Sequence, residues 1–219
     1  MNVRSGSEAT PAASLADALR VKLAPGGRDR RLLDRQVLLT GSSRAALYDG
    51  PVAVPSYPAG SLPGLEAAAQ RLAIGARPGL ATAAALTRAL ARLSVRDGDA
   101  GDRSATEILA SGEAAPLERA RTLALLAWIT DIPARVCLLY RDTQADFHAV
   151  AELRVMDSWA VFDPLAGQFY LVTHHPYASA WDIKRRPAIA DGHPDHGRKP
   201  TVDSSFYRSV CIAPIEYTD

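Results

Sequence analysis

The sequence predicts an α+β domain in which a central helix packs on an antiparallel sheet, and two observations carry that expectation. Residues 116–130 begin with polar Glu118, Arg119, Arg121 and Thr122, then turn apolar on nearly every side through Leu123-Ala-Leu-Leu-Ala-Trp-Ile129. That is the pattern of a helix enclosed by its own domain. Three runs of strand-forming residues follow, at 136–140, 147–155 and 158–162, separated by a polar stretch at 141–145 and by Met156-Asp157. Turns this short join neighbouring strands into an antiparallel meander.

The remaining elements can be taken in chain order. Residues 1–11 are polar and small and are expected to be mobile, and Ser14 can cap a helix over 15–24 that stops at Pro25-Gly26-Gly27. Over 36–63, short apolar runs alternate with Gly, Ser and Pro, which predicts strands near 36–39 and 45–48. From Gly64, Leu65, Ala68, Ala69, Leu72 and Ala73 recur at helical spacing and stop at Gly75, and an Ala/Leu helix over 81–93 follows Pro78-Gly79. Ser104 opens a short helix over 105–110 that ends at Ser111-Gly112. Beyond Tyr170, the stretches 174–177, 182–187 and 191–200 read as loops, and 209–215 as a last strand. The chain therefore divides into an extension (1–63) packing on the domain, a core (64–170) and a loop-rich segment (171–219) completing the same domain.

Composition excludes several classes of function. Lys plus Arg total 25 against 24 for Asp plus Glu, so a net charge of +1 provides no field for nucleic acid or anionic lipid. The amino terminus lacks the apolar stretch of a secretory signal and no later run approaches membrane-spanning length, so a cytoplasmic protein without a membrane partner is expected. Cys137 and Cys211 are far apart in sequence, which suits reduced thiols and leaves no cysteine-based metal site. His174 and His175 are adjacent and His193 and His196 lack helical spacing, so no metal or other cofactor is expected. Arg185, Arg186, Arg198 and Lys199 read as a solvated basic loop that could take an anionic group.

Three short motifs stand in order: Asp131-Ile-Pro-Ala-Arg135, His148-Ala-Val-Ala-Glu152, and Trp159-Ala-Val-Phe-Asp163-Pro164. Together with the helix before them, they resemble the transglutaminase-like superfamily, which has a papain-like cysteine-enzyme fold. In that family a cysteine opens the central helix, Gly-Ile-Pro-Ala-Arg follows it, and His-Ala-Trp with a nearby Glu leads on to Asp-Pro. Here Asp131 stands in place of the glycine and Val150 in place of the tryptophan.

The resemblance implies that His148 and Asp163 form the acid-base pair, and that Arg135, Glu152 and Trp159 belong to the binding region. It places the cysteine position at Pro116, with Gly112 and Ala120 falling where the family pattern expects them. Proline has neither a nucleophile nor an N–H, yet its fixed φ suits the first turn of a helix. Cys137 is the candidate substitute nucleophile, since one strand register brings it to the face of His148; otherwise it is a small buried core residue. The expected function is that of a pseudoenzyme-type protein using the remnant cleft for a peptide, an amine-containing small molecule or a protein partner. The alternative is an enzyme that drives amide, acyl-transfer or acid-base chemistry from His148 and Asp163 with another nucleophile.

Overall fold

The computed structural model describes residues 35–50, 52, 60, 62–96, 103–141, 147–170, 177–191 and 203–213. In chain order the helices are α1 (Gly41–Tyr48), α2 (Pro63–Leu72), α3 (Leu80–Leu90), α4 (Ala105–Ser111), α5 (Pro116–Ile129), α6 (Ala180–Arg185) and α7 (Ala188–Asp191). The strands are β1 (Val37–Leu38), β2 (Ser94–Val95), β3 (Glu113–Ala114), β4 (Ala134–Tyr140), β5 (Phe147–Val155), β6 (Ser158–Asp163), β7 (Gln168–Phe169) and β8 (Ser209–Ala213). The expected mobile start, the helix over 15–24 and all four of His174, His175, His193 and His196 lie outside the described residues.

Helix α5 is buried on every side from Leu117 to Trp128, as its composition requires. It packs on β4 and β5 of a six-stranded sheet ordered β1-β8-β4-β5-β6-β7, in which every described pairing is antiparallel. The separate pair β2 and β3 is parallel.

Strand alternation divides the sheet into two faces. Val136, Leu138, Ala149, Ala151, Leu153 and Phe162 join one core with Leu123, Leu125, Leu126 and Trp128 of α5. Cys137, Leu139, Val150 and Val161 join a second core with Tyr170, Ile183, Phe206 and Tyr207 on the opposite face. Small residues at 149 and 151 leave room for the close approach of α5.

Two loop or strand expectations are corrected. The expected strand at 45–48 is part of α1, because Thr40 forms a capping box with Ser43: its Oγ1 accepts from the Ser43 amide at 3.2 Å, and the Thr40 amide donates to Ser43 Oγ at 2.9 Å. The stretch from 182, expected as loop, lies largely in α6, where Ser179 caps with Asp182 in the same reciprocal way. Asp131 has φ 60°, the left-handed conformation for which glycine is the usual residue and Asp a tolerated one.

Candidate functional site

His148 opens β5, and antiparallel pairing sets it opposite Leu139, with Val150 opposite Cys137 and Glu152 opposite Arg135. All of these side chains therefore leave the sheet on the face away from α5. Asp163 ends β6 on the same face, and its Oδ2 lies 3.1 Å from His148 Nε2. Its Oδ1 accepts from the amides of Leu165 at 2.8 Å and Ala166 at 3.1 Å in the turn that follows. Burial acts to raise the Asp163 carboxyl, but His148 and these two amides outweigh it and hold the group below the usual carboxylate range. His148 is only 4% exposed and Asp163 is fully buried.

Pro116 starts α5 on the other face of the sheet, at the end that carries the pair. The buried Arg119 guanidinium, one turn on, feels the charge of Asp163, although burial is the larger influence and lowers its pKa. Arg119 donates to the carbonyls of Ala114, Leu90 and Leu93, which ties the start of α5 to the preceding segments. Glu118 completes a cap by accepting from the Ala115 amide at 2.9 Å. Burial opposes its charge, but Arg103 at 2.7 Å and that amide prevail and lower its pKa. Thus Pro116 fills the first helical position, where no amide donor is needed for the helix itself.

Cys137 shares the face of His148, diagonally across from it. Burial, followed by the charge of Glu152, pushes its thiol well above the ordinary range, so it is held as the neutral thiol rather than the nucleophilic thiolate. Cys211 lies in the other core, and burial pushes its thiol up to about 11.

Arg135, Glu152 and Trp159 come together at the other end of the strands. The Arg135 guanidinium lies 4.0 Å from the ring centre of Trp159 and 4.4 Å from that of Tyr48. Its Nε donates to Glu152 Oε2 at 2.8 Å, and Nη1 donates to the carbonyl of Leu47. The other Glu152 oxygen accepts from Tyr48 Oη at 2.8 Å and from the Ala180 amide at 2.6 Å. Arg135 and Glu152 are buried, so both act from behind, tying α1 and α6 to the sheet. Trp159 itself lines a groove of about 330 Å³ with Tyr48, Tyr177 and Trp181.

Sequence reasoning did not single out Tyr48, Tyr177 or Trp181 for this groove, nor Gln168, Tyr170 and Tyr207 on the face of the His–Asp pair. The last three are buried, with the rings of Tyr170 and Tyr207 6.1 Å apart edge to face, and burial pushes both tyrosine hydroxyls well above their ordinary range. The detectable signals were the two capping boxes, Thr40-x-x-Ser43 and Ser179-x-x-Asp182, which announce α1 and α6. Among the described residues no cluster of His, Cys, Asp and Glu suits a metal ion, and no helix is long and apolar enough to cross a membrane.

A helix packed on an antiparallel sheet, with a His–Asp pair on consecutive strands, defines the transglutaminase-like, papain-like class. Residues 66–164 match the family model of the Transglutaminase-like superfamily, so this segment of the chain is similar to that superfamily. A candidate cysteine protease from Cytophaga hutchinsonii is similar over 66% of this chain and 45% of its own, at 19% identity and TM-score 0.43. A candidate protease from Parabacteroides distasonis is similar over 69% of this chain and 26% of its own, at 15% identity and TM-score 0.41. The chain thus spans less than half the length of either structure. No curated protein matches it.

Proposed function

We propose that this transglutaminase-like protein has no thiol chemistry and works as a pseudoenzyme-type binding protein for a peptide, an amine-containing small molecule or a protein partner. The observation that carries this reading is the start of α5, Ala115-Pro116-Leu117, which holds no nucleophile. The chain's two thiols are buried and kept protonated, so neither offers a thiolate at neutral pH. Its near-neutral charge argues for a ligand other than nucleic acid, and we read it as a cytoplasmic protein.

One observation favours a second reading. The His148–Asp163 contact is intact, and a charged carboxylate beside an imidazole is the arrangement that orients a general base. In that reading the pair drives acid-base or acyl-transfer chemistry with a nucleophile supplied by a substrate. Incubating the protein with amide and ester substrates, with and without an amine acceptor, separates the two. The binding reading expects no turnover and no labelling of either cysteine in the native protein by iodoacetamide. Turnover lost in His148→Ala but unaffected by iodoacetamide would establish the second reading; turnover lost in step with Cys137 labelling would overturn both.

A further inference from the structure

The groove beside Trp159 lies between α1, the β5–β6 turn and α6, away from the His–Asp pair. Trp159 and Asp163 are near opposite ends of β6, four residues apart, which is about 13 Å along a strand. Whatever His148 and Asp163 do, this is a separate site.

The polar ends of two wall residues are already engaged. Tyr48 Oη donates to Glu152, and Tyr177 Oη donates to Met156 Sδ at 3.0 Å, so both rings offer mainly their apolar surfaces to the groove. Arg135, stacked on Trp159 and Tyr48 and paired with Glu152, fixes the orientation of these two rings. The walls are therefore organised before any ligand arrives.

The charged lining is mostly committed as well. Arg44 pairs with Asp49 at 2.5 Å, and Asp182 accepts from the Ser179 hydroxyl and amide at 2.6 and 3.0 Å. Two groups remain. Arg186, at the end of α6, has no ionic partner among the described residues, while its neighbour Arg185 lies 6.0 Å from the ring centre of Trp181. Asp157, on the β5–β6 turn, has a fully exposed side chain whose one ionic contact among the described residues is with Arg154, at 3.9 Å. An available cation thus stands on the α6 side and an available carboxylate on the turn, and both line the same groove as Trp159, Tyr177 and Trp181.

We propose that this groove binds a small zwitterion with an apolar or aromatic side chain, an α-amino acid or a dipeptide. Its carboxylate pairs with Arg186, its ammonium with Asp157, and its side chain lies against Trp159, Tyr177 and Trp181. Arginine presents a planar fork suited to a carboxylate. The volume of about 330 Å³ is at the small end of ligand pockets, which suits one or two residues better than an extended peptide.

Isothermal titration of the full chain with phenylalanine, alanyl-phenylalanine, N-acetylphenylalanine and phenylalaninamide tests the assignment. Saturable binding of phenylalanine or the dipeptide is expected, with the acetylated and amidated compounds at least about tenfold weaker, the loss of one charge-assisted contact. Tighter binding of the free amino acid or of the dipeptide identifies which source the groove serves, and either supports the site. Arg186→Gln should erase the preference for carboxylate over amide, and Asp157→Asn the preference for ammonium over acetyl. Both side chains are exposed, so these variants should keep the circular dichroism of the parent. Absence of saturable binding by all four compounds, or preferences unchanged in both variants, would overturn the proposal.

Discussion

His148 Nε2 lies 3.1 Å from Asp163 Oδ2 in a buried contact that spans two neighbouring strands, β5 and β6. The pair is therefore part of the packing on the sheet face opposite α5, whatever else it does. Because the Asp163 pKa is lowered in the folded chain, its contribution to stability is present above the ordinary carboxylate range and is lost as pH falls through the folded value. Denaturant titrations from neutral pH downwards should show stability falling below pH of about 4, and Asp163→Asn should be less stable at pH 7 with a flatter acid limb. Parallel acid limbs in the two proteins would show that Asp163 is not the group responsible.

The Arg135–Glu152 pair gives a second prediction. Glu152→Ala leaves a buried guanidinium with two aromatic rings and a carbonyl but no countercharge, which should cost about 3–5 kcal/mol. Tyr48→Phe removes one hydrogen bond to Glu152 while leaving Arg135 and the Ala180 amide in place, so a loss of about 1.5–3 kcal/mol is expected. Equilibrium unfolding in urea should rank the variants in that order. Equal losses would mean that the ion pair contributes little beyond its packing.

Much of this arrangement was legible before the structure. The all-round apolar character of 123–129 marks a buried helix, and the alternation in His148-Ala-Val-Ala-Glu152 puts His148, Val150 and Glu152 on one face. The stack of Arg135 between Tyr48 and Trp159 was not legible, because Tyr48 reaches Glu152 across 104 residues and no local pattern encodes that contact. Helix α6 was missed for a different reason: Arg185 and Arg186 suggested a solvated basic loop, whereas a capping box and two buried residues, Ala180 and Ile183, sustain the helix. Gln168 was missed because β7 has only two residues, too few for a period to show.

Leu125 of α5 lies in the core between the helix and the sheet, with 6% of its surface exposed. Leu125→Ala should destabilise the protein by about 2–5 kcal/mol, the range for a leucine truncated inside a packed core. Chemical denaturation checks this directly. A loss under about 0.5 kcal/mol would mean that this face of the helix is not packed as the structure has it.

The last prediction tests whether Pro116 stands at the position the resemblance gives to the family's cysteine. Pro116 is the first residue of α5, at the positive end of a helix of 14 residues. Pro116→Cys would place a thiol there, and the dipole should lower its pKa below the free value of about 8.5. Two local charges modify that effect: Glu118 opposes a thiolate, but Arg103 at 2.7 Å and Arg96 at 3.5 Å largely offset its charge. The new thiol should react with iodoacetamide at neutral pH, while Cys137 and Cys211, both buried with raised pKa values, should not. His148 leaves β5 on the face away from α5, so its imidazole can reach the thiol only round the end of the sheet, where Asp163 is near enough to influence Arg119. If Pro116 occupies the family's cysteine position, a second change, His148→Ala, should slow alkylation, because a protonated imidazole also favours the thiolate. The rate measured against pH, for the single and the double variant, separates the two contributions. A thiol that titrates near about 8.5 and reacts at the same rate with and without His148 would place the family's cysteine position elsewhere in the chain.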